Sequence, residues 1–183
     1  MEFEVIRSNR KSIAIEIKQS KLIIRTPLLA TNEEINAFML KNKSWIDKHV
    51  AEAQAHQQAM DSVEQLSMEK IRLLADKALA YIPERVKHYA PLVGVTYGRI
   101  TIRNQRSRWG SCSSKGNLNF NCMLMLAPPE VIDSVVVHEL CHRKEMNHSD
   151  RFYAEVLRVF PEYWKHHRWL KDNGEILMRM MPK

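Results

Sequence analysis

The chain has 183 residues, of which 45% are hydrophobic and 27% are charged, and its formal net charge is +7. This composition is typical of a globular protein and excludes a disordered or fibrous chain. No apolar run reaches the roughly 18 residues that a membrane-spanning helix needs, and the acidic start does not resemble a secretory signal, so we expect a cytoplasmic protein. The three cysteines form no CxxC pair, which argues against a disulfide framework or a four-thiolate zinc site.

The first half of the sequence predicts strands followed by helices. Apolar and polar residues alternate through the first 26 residues, a pattern that predicts an antiparallel β-meander within residues 1–30. Thr31 is then a favourable helix N-cap, and apolar residues follow it at helical spacing. We expect helical structure across residues 31–92, including a long helix from Glu64 to about Tyr89.

The second half, residues 93–183, predicts strands and then helices again. Alternation returns from Val95 to Ile102, and a second strand should begin at Leu118, so that the pair frames a polar loop. Two prolines followed by an acidic residue predict the start of a helix from Glu130 to about Arg143, and two further helices should follow. We therefore expect a single α+β domain, residues 1–183, in which a small antiparallel sheet packs against helices.

The excess of positive charge is confined to one segment of the chain. Residues 85–129 contain seven Lys and Arg residues and no Asp or Glu, whereas the other basic and acidic residues cancel. Such a segment is either a solvated surface or a surface that attracts anions. Nucleic acid is therefore one candidate partner, through residues 85–129.

The helix predicted from Glu130 contains an HExxH motif, formed by His138, Glu139 and His142. A spacing of four residues places the two histidines on one face of a helix, where their nitrogens can bind one metal ion. Glu139 lies beside them and can act as the general base that takes a proton from water activated by the metal. The apolar residues around the motif predict a buried helix. Binding to a metal would offset the free-energy cost of removing the histidine rings from water.

A third protein ligand is needed if one coordination position of the metal is to remain open for water. His148 is the first candidate, because Asn147 can end the helix and turn the chain back. Glu155 on the next predicted helix is the alternative. Imidazole ligands favour zinc over manganese, so we expect Zn²⁺ as the cofactor.

The chain resembles the YgjP-like family of metal-dependent hydrolases, also described as SprT-like or minimal zincin metallopeptidases. The similar segments are residues 102–113, Ile-Arg-Asn-Gln-Arg-Ser-Arg-Trp-Gly-Ser-Cys-Ser, and the HExxH motif followed by Asn147, His148, Ser149 and Phe152. The resemblance implies a zincin-like core, zinc held by His138, His142 and His148, and Glu139 as the general base. Some members of the family are labelled peptidases and others UTP pyrophosphatases.

Three residues of the basic segment are candidates for substrate binding. If the second strand pair lies against the HExxH helix, Arg106 and Arg108 would face the metal and could bind phosphate oxygens. If the substrate is a peptide, the same strand edge would pair with its extended backbone and Trp109 would form a pocket wall. The alternative for Trp109 is that it fills the core beneath the loop.

These observations lead to three hypotheses about function. The first is a zinc-dependent hydrolase that cleaves peptide bonds, and the second is a nucleoside triphosphate (UTP-type) pyrophosphohydrolase that uses the same metal site. The third is a basic nucleic-acid-binding module with a structural zinc. An open coordination position favours the two enzymes, because structural zinc is normally enclosed by four protein ligands. A zinc metallohydrolase that acts on peptides is our first expectation.

Overall fold

The computed structural model describes residues 3–18 and 21–182. The chain forms two compact units, residues 1–63 and residues 64–183. Both contain helices and a three-stranded sheet, which confirms the α+β class. The boundary between the units falls inside the helical segment predicted for residues 31–92, and the existence of a single domain stays a prediction. None of the helices in the described ranges is long and apolar enough to cross a membrane.

The first unit is built from a small sheet and two helices. The central strand is the most buried, because Leu22, Ile24 and Thr26 all lie inside. Thr31 caps the first helix as predicted: its side chain accepts a hydrogen bond from the backbone of Glu34, whose carboxylate accepts one from the backbone of Thr31. The elements are β1 (Phe3–Ser8), β2 (Ala14–Lys18), β3 (Lys21–Pro27), α1 (Asn32–Lys41) and α2 (Lys43–Asp61).

The antiparallel meander predicted for residues 1–30 is wrong in its strand order and direction. The sheet has the order β1-β3-β2, in which β2 is antiparallel to β3 and β1 is parallel to it. An alternating pattern shows that a strand has two different faces, but it carries no information about which backbone edges pair. Most of β1 is exposed, so its place is decided by the backbone hydrogen bonds that the free edge of β3 offers.

The second unit surrounds a helix that lies almost completely inside the protein. Ten of the 13 residues of this helix, α4, are buried, and three other helices pack around it. Pro129 occupies its first turn, as predicted. The elements of this unit are α3 (Met68–Val93), β4 (Ile100–Arg103), β5 (Gly110–Cys112), β6 (Leu118–Asn121), a 3-10 helix (Cys122–Leu126), α4 (Pro129–Cys141), α5 (Asp150–Val159) and α6 (Tyr163–Arg179).

Helix α4 ends two residues earlier than predicted. It ends at Cys141 rather than near Arg143, because the backbone N–H groups of Arg143 and Lys144 bond to carbonyls only three residues earlier. Such bonds tighten the last turn of a helix. His142, the second histidine of the motif, is therefore the C-cap residue.

The second sheet has three strands rather than the predicted pair. β6 is central, β4 is parallel to it and β5 is antiparallel to it, so the sheet is mixed and the prediction of an antiparallel sheet is wrong here too. β5 lies inside the segment predicted as a polar loop. Its residues, Gly110, Ser111 and Cys112, include no β-branched or aromatic side chain, and the strand exists because its backbone pairs with β6. β5 forms an edge of the sheet and packs against α4.

A partly buried ion pair joins α3 to α4. The carboxylate of Asp133 accepts hydrogen bonds from Nε and Nη2 of Arg85, both at 2.7 Å, and from the hydroxyl of Tyr89 at 3.1 Å. Asp133 is buried, so its charge depends on these partners. The pair therefore sets how α4 lies against α3.

Replacing Asp133 with alanine should lower the free energy of unfolding by about 3 kcal/mol, because the guanidinium of Arg85 would stay partly buried without its partner. Chemical denaturation followed by circular dichroism measures the change. Lys165→Ala is the control, since Lys165 and Glu162 form an ion pair whose side chains are 69% and 67% exposed. A change below about 1 kcal/mol is expected there. Equal losses in the two variants would contradict this account of Asp133.

Candidate metal centre

Three histidines converge at the C-terminal end of α4. His138 lies in the last turn of that helix, His142 follows one turn later, and His148 comes from the loop before α5. Ring nitrogens of all three lie within 4.8 Å of one another, and the Nε2 atoms of His138 and His148 are 3.0 Å apart. Within the described residues, no other group of three or more His, Cys, Asp or Glu side chains converges in this way.

Hydrogen bonds at the Nδ1 atoms orient two of the rings. Nδ1 of His138 is 2.9 Å from the hydroxyl of Tyr163, and Nδ1 of His142 is 3.1 Å from the backbone carbonyl of Glu145. The carbonyl can only accept, so Nδ1 of His142 carries a proton and the lone pair lies on Nε2. A protonated Nδ1 at His138, with the hydroxyl of Tyr163 as acceptor, likewise frees the Nε2 atom that faces His148.

The ring of Phe152 supports all three imidazoles. This residue of α5 is fully buried, and its ring centre lies 4.8 Å from that of His138, 4.6 Å from that of His142 and 4.9 Å from that of His148. It stacks on His142 and meets the other two rings edge to face, which are the geometries that aromatic rings prefer. Packing therefore holds the rings together in addition to the hydrogen bonds.

Burial keeps the rings of His138 and His142 neutral. It lowers the pKa of His138 to about 3, and the neighbouring rings of His142 and His148 add to this effect. It also lowers the pKa of His142. Neutral imidazole is the form with a free nitrogen lone pair, so at neutral pH these two rings offer metal ligands rather than positive charges.

Glu139 lies on the same helix, and one oxygen of its carboxyl group has no hydrogen-bond partner. The residue is 5% exposed, and its buried Oε2 atom has no hydrogen-bond partner. Burial raises the pKa of Glu139 to about 8, and the positive charge of Arg108 opposes this rise. A buried polar atom without a partner is costly, and in native proteins it often marks a functional position.

The donor set of this site fits a divalent metal ion. His138, His142 and His148 offer three imidazoles, which are common ligands of first-row transition metals. Three protein ligands leave a coordination position open, as in catalytic metal sites. Glu139 is not a member of the converging group, so its carboxyl group is available for another task.

The two arginines predicted to bind substrate lie in different places. Arg108 is close enough to Glu139 for its charge to act on that carboxyl group. The guanidinium of Arg106 instead donates a hydrogen bond to the backbone carbonyl of Pro182, which does not support the prediction that it faces the metal. Substrate binding by Arg108 stays a prediction.

The other two candidates from the sequence are engaged elsewhere. Trp109 is half-buried against the core, and a Cβ atom at Gly174 of α6 would lie 3.2 Å from its indole, so this side chain fills space between the loop and α6. Glu155, the alternative third ligand, forms ion pairs with Lys144 and Arg158, both at 2.9 Å. These two cations lower its pKa. Glu155 is thus not part of the converging group.

Asn121 is a residue of the site region that the sequence analysis did not identify. It is fully buried at the end of β6, and its side-chain nitrogen donates to the backbone carbonyls of Gln105 at 2.6 Å and Arg108 at 3.2 Å. Its side-chain oxygen accepts from the backbone N–H of Met123 at 3.1 Å. Asn121 therefore holds the loop that carries Arg108. An asparagine directly before an apolar run is a capping signal that could have indicated this role.

Comparison with known proteins gives a family match over more than half of the chain. The family model described as "YgjP-like, metallopeptidase domain" matches residues 60–173. The metallopeptidase zymogen abylysin of Pyrococcus abyssi is 23% identical, over 51% of this chain and 95% of that chain, with a TM-score of 0.46. The metallopeptidase zymogen jannalysin of Methanocaldococcus jannaschii is 20% identical, over 51% and 96% of the two chains, with the same TM-score. No curated protein matches the sequence significantly.

Asn121→Asp should loosen the loop that carries Arg108, because a carboxylate would face two backbone carbonyls instead of donating to them. We expect amide hydrogen exchange in residues 104–109 to become about tenfold faster. Mass spectrometry of the exchanged protein measures this. Asn119→Asp is the control, because the Asn119 amide donates to the hydroxyl of Ser111 in β5 rather than to the carbonyls of the loop. Unchanged exchange in Asn121→Asp would show that the loop does not depend on this side chain.

Proposed function

Because this chain belongs to the YgjP-like family, we propose that it is a zinc-dependent peptidase. One observation carries the proposal: three imidazoles converge at the end of the helix that also holds a buried carboxyl group with an unpartnered oxygen. A structural metal site requires no such acid, whereas hydrolysis requires a group that moves a proton.

In this proposal His138, His142 and His148 hold the metal. Three imidazole nitrogens favour zinc among the abundant divalent ions. When bound, the metal would supply a Lewis acid that polarises the scissile carbonyl and makes water acidic. The contacts of Tyr163 and Phe152 support this proposal, because they hold the histidine rings in the orientation that metal binding requires.

Glu139 is the residue that we propose to handle the proton. Its Oε2 atom takes a proton from the attacking water and later delivers it to the amine of the leaving peptide. Burial alone raises the pKa of Glu139 to about 8, and the positive charge of a divalent ion held by the three histidines would favour the carboxylate, which is the form that accepts a proton. With only 5% of the residue exposed, bulk water has little access to it.

The outer edge of β5 supports a peptide as the substrate. Successive residues of an antiparallel strand direct their backbone groups alternately to the two sides. The carbonyl of Trp109 and the N–H of Ser113 bond within the sheet, so the backbone groups of Gly110 and Cys112 face the unpaired edge. An extended peptide can add to this edge as a further strand, beside Glu139.

A nucleoside triphosphate such as UTP is the second candidate substrate, and Arg108 is the observation that favours it. A guanidinium near Glu139 could bind phosphate oxygens. The expected pair of arginines is not formed, however, because Arg106 bonds to the carbonyl of Pro182. The third hypothesis, nucleic-acid binding by residues 85–129 around a structural zinc, predicts binding without chemistry and with a steep dependence on salt.

Purified protein should contain about one zinc ion per chain, and His142→Ala should lose most of it, because two imidazoles bind zinc much more weakly than three. Plasma mass spectrometry measures the metal content. His88→Ala is the control, because His88 is an exposed residue of α3 and should leave the zinc in place. Full retention of zinc by His142→Ala would remove His142 from the ligand set.

Glu139→Gln should lower peptide hydrolysis on the order of 1000-fold, because the amide cannot take a proton from water. Its zinc content should equal that of the parent, since Glu139 is not a ligand and glutamine occupies the same volume. Release of amino groups from casein measures the activity, and release of pyrophosphate from UTP is measured in parallel on the same two proteins.

The two substrates separate the hypotheses. Casein hydrolysis that disappears in Glu139→Gln supports the peptidase, and UTP hydrolysis that disappears in the same variant supports the second candidate. If the zinc-loaded parent turns over neither substrate but binds DNA with an affinity that falls steeply with salt, the peptidase proposal is wrong.

A further inference from the structure

Gly110 of β5 lies directly against the side chain of Glu139. A Cβ atom at this position would be 2.6 Å from Oε1, 2.7 Å from Cγ and 2.9 Å from Cδ of Glu139. All three distances are shorter than non-bonded carbon and oxygen atoms tolerate. The space that a side chain would need at Gly110 is therefore already filled by the glutamate.

The backbone itself does not require glycine at this position. Among the described residues, the glycines with a positive φ are Gly94 and Gly116, so Gly110 adopts a conformation that any amino acid can take. The neighbouring backbone groups of the strand take part in ordinary sheet hydrogen bonds of 2.8 and 2.9 Å. The overlap with Glu139 is thus the specific reason for the missing side chain.

Neither partner can move away easily. Glu139 belongs to a helix with ten buried residues of 13, and β5 is paired along its length with β6. The overlap includes Cγ as well as the carboxyl group, so a rotation of the terminal carboxylate would not remove it. The Oε2 atom of Glu139 has no hydrogen-bond partner that could direct the carboxyl group instead.

From these contacts we infer that Gly110 is a positioning residue for Glu139. Its missing side chain leaves the slot between α4 and the edge of β5 in which the glutamate lies, and any side chain at residue 110 displaces the carboxyl group. The inference has a catalytic part, that Gly110 affects hydrolysis through Glu139, and this part rests on the proposed function. The steric part concerns only Gly110 and Glu139 and can be measured without any substrate.

The steric part is tested by thermal unfolding of four proteins: the parent, Gly110→Ala, Glu139→Ala and the double variant. Gly110→Ala should lower the melting temperature of the parent by several degrees, because the new methyl group overlaps Glu139. In the Glu139→Ala background the same substitution should cause no decrease, because the obstructing atoms are gone. An equal decrease in both backgrounds would overturn the inference.

The catalytic part is tested by steady-state kinetics on the casein-derived peptide that the zinc-loaded parent cleaves best. Gly110→Ala should lower kcat about 100-fold, the effect typical of a reacting group displaced by about 1 Å, while KM changes less than twofold and zinc stays at about one per chain. An unchanged kcat would overturn the inference. If the parent cleaves no peptide, the proposed function fails, and the unfolding comparison still decides whether Gly110 positions Glu139.

Gly98→Ala is a matched control for both measurements. A Cβ atom at Gly98 would lie 2.5 Å from Oδ1 of Asn117, an overlap outside the metal centre with an oxygen that also accepts a hydrogen bond from the backbone N–H of Arg99 at 3.0 Å. This variant should also lose stability, because the overlap displaces an oxygen that is hydrogen-bonded, and it should keep the kcat of the parent. A similar loss of kcat in both variants would show that the effect of Gly110→Ala comes from general destabilisation, which would also overturn the inference.

Discussion

The candidate metal centre depends on the burial of α4. Because water is excluded from this helix, His138 remains neutral and keeps its lone pair, and the pKa of Glu139 is raised above that of an exposed glutamate. The cost of placing these polar groups inside is offset by the apolar residues along the rest of the helix. The chemistry of the site and the stability of the core are therefore properties of the same helix.

Most helices and the metal-binding candidates could be predicted from the sequence, because both depend on local spacing. Thr31 and Pro129 mark helix starts through their own backbone chemistry. A separation of four residues fixes the relation of His138 to His142 on any helix. The turn at Asn147 was sufficient to favour His148, and the structure brings that ring to the other two.

The features that could not be predicted depend on interactions between segments that are distant in the sequence. The parallel pairing of β1 with β3 depends on which strand edge is free, and β5 forms because β6 offers a partner to a segment with weak strand propensity. Arg106 was expected near the metal from its neighbours in the sequence, but its guanidinium bonds to Pro182, 76 residues away. Charge patterns give the composition of a surface and not the direction in which a long side chain extends.

The ring of Phe152 beneath the three histidines has a consequence for how the protein would acquire its ion. In a small zinc domain the ion itself organises the fold, so the empty form is unfolded. Here an aromatic side chain and hydrogen bonds from Nδ1 already hold two of the ligands, and the hydrophobic core is complete without them. The ion would therefore bind to a preformed site, and its loss would abolish activity without unfolding the protein.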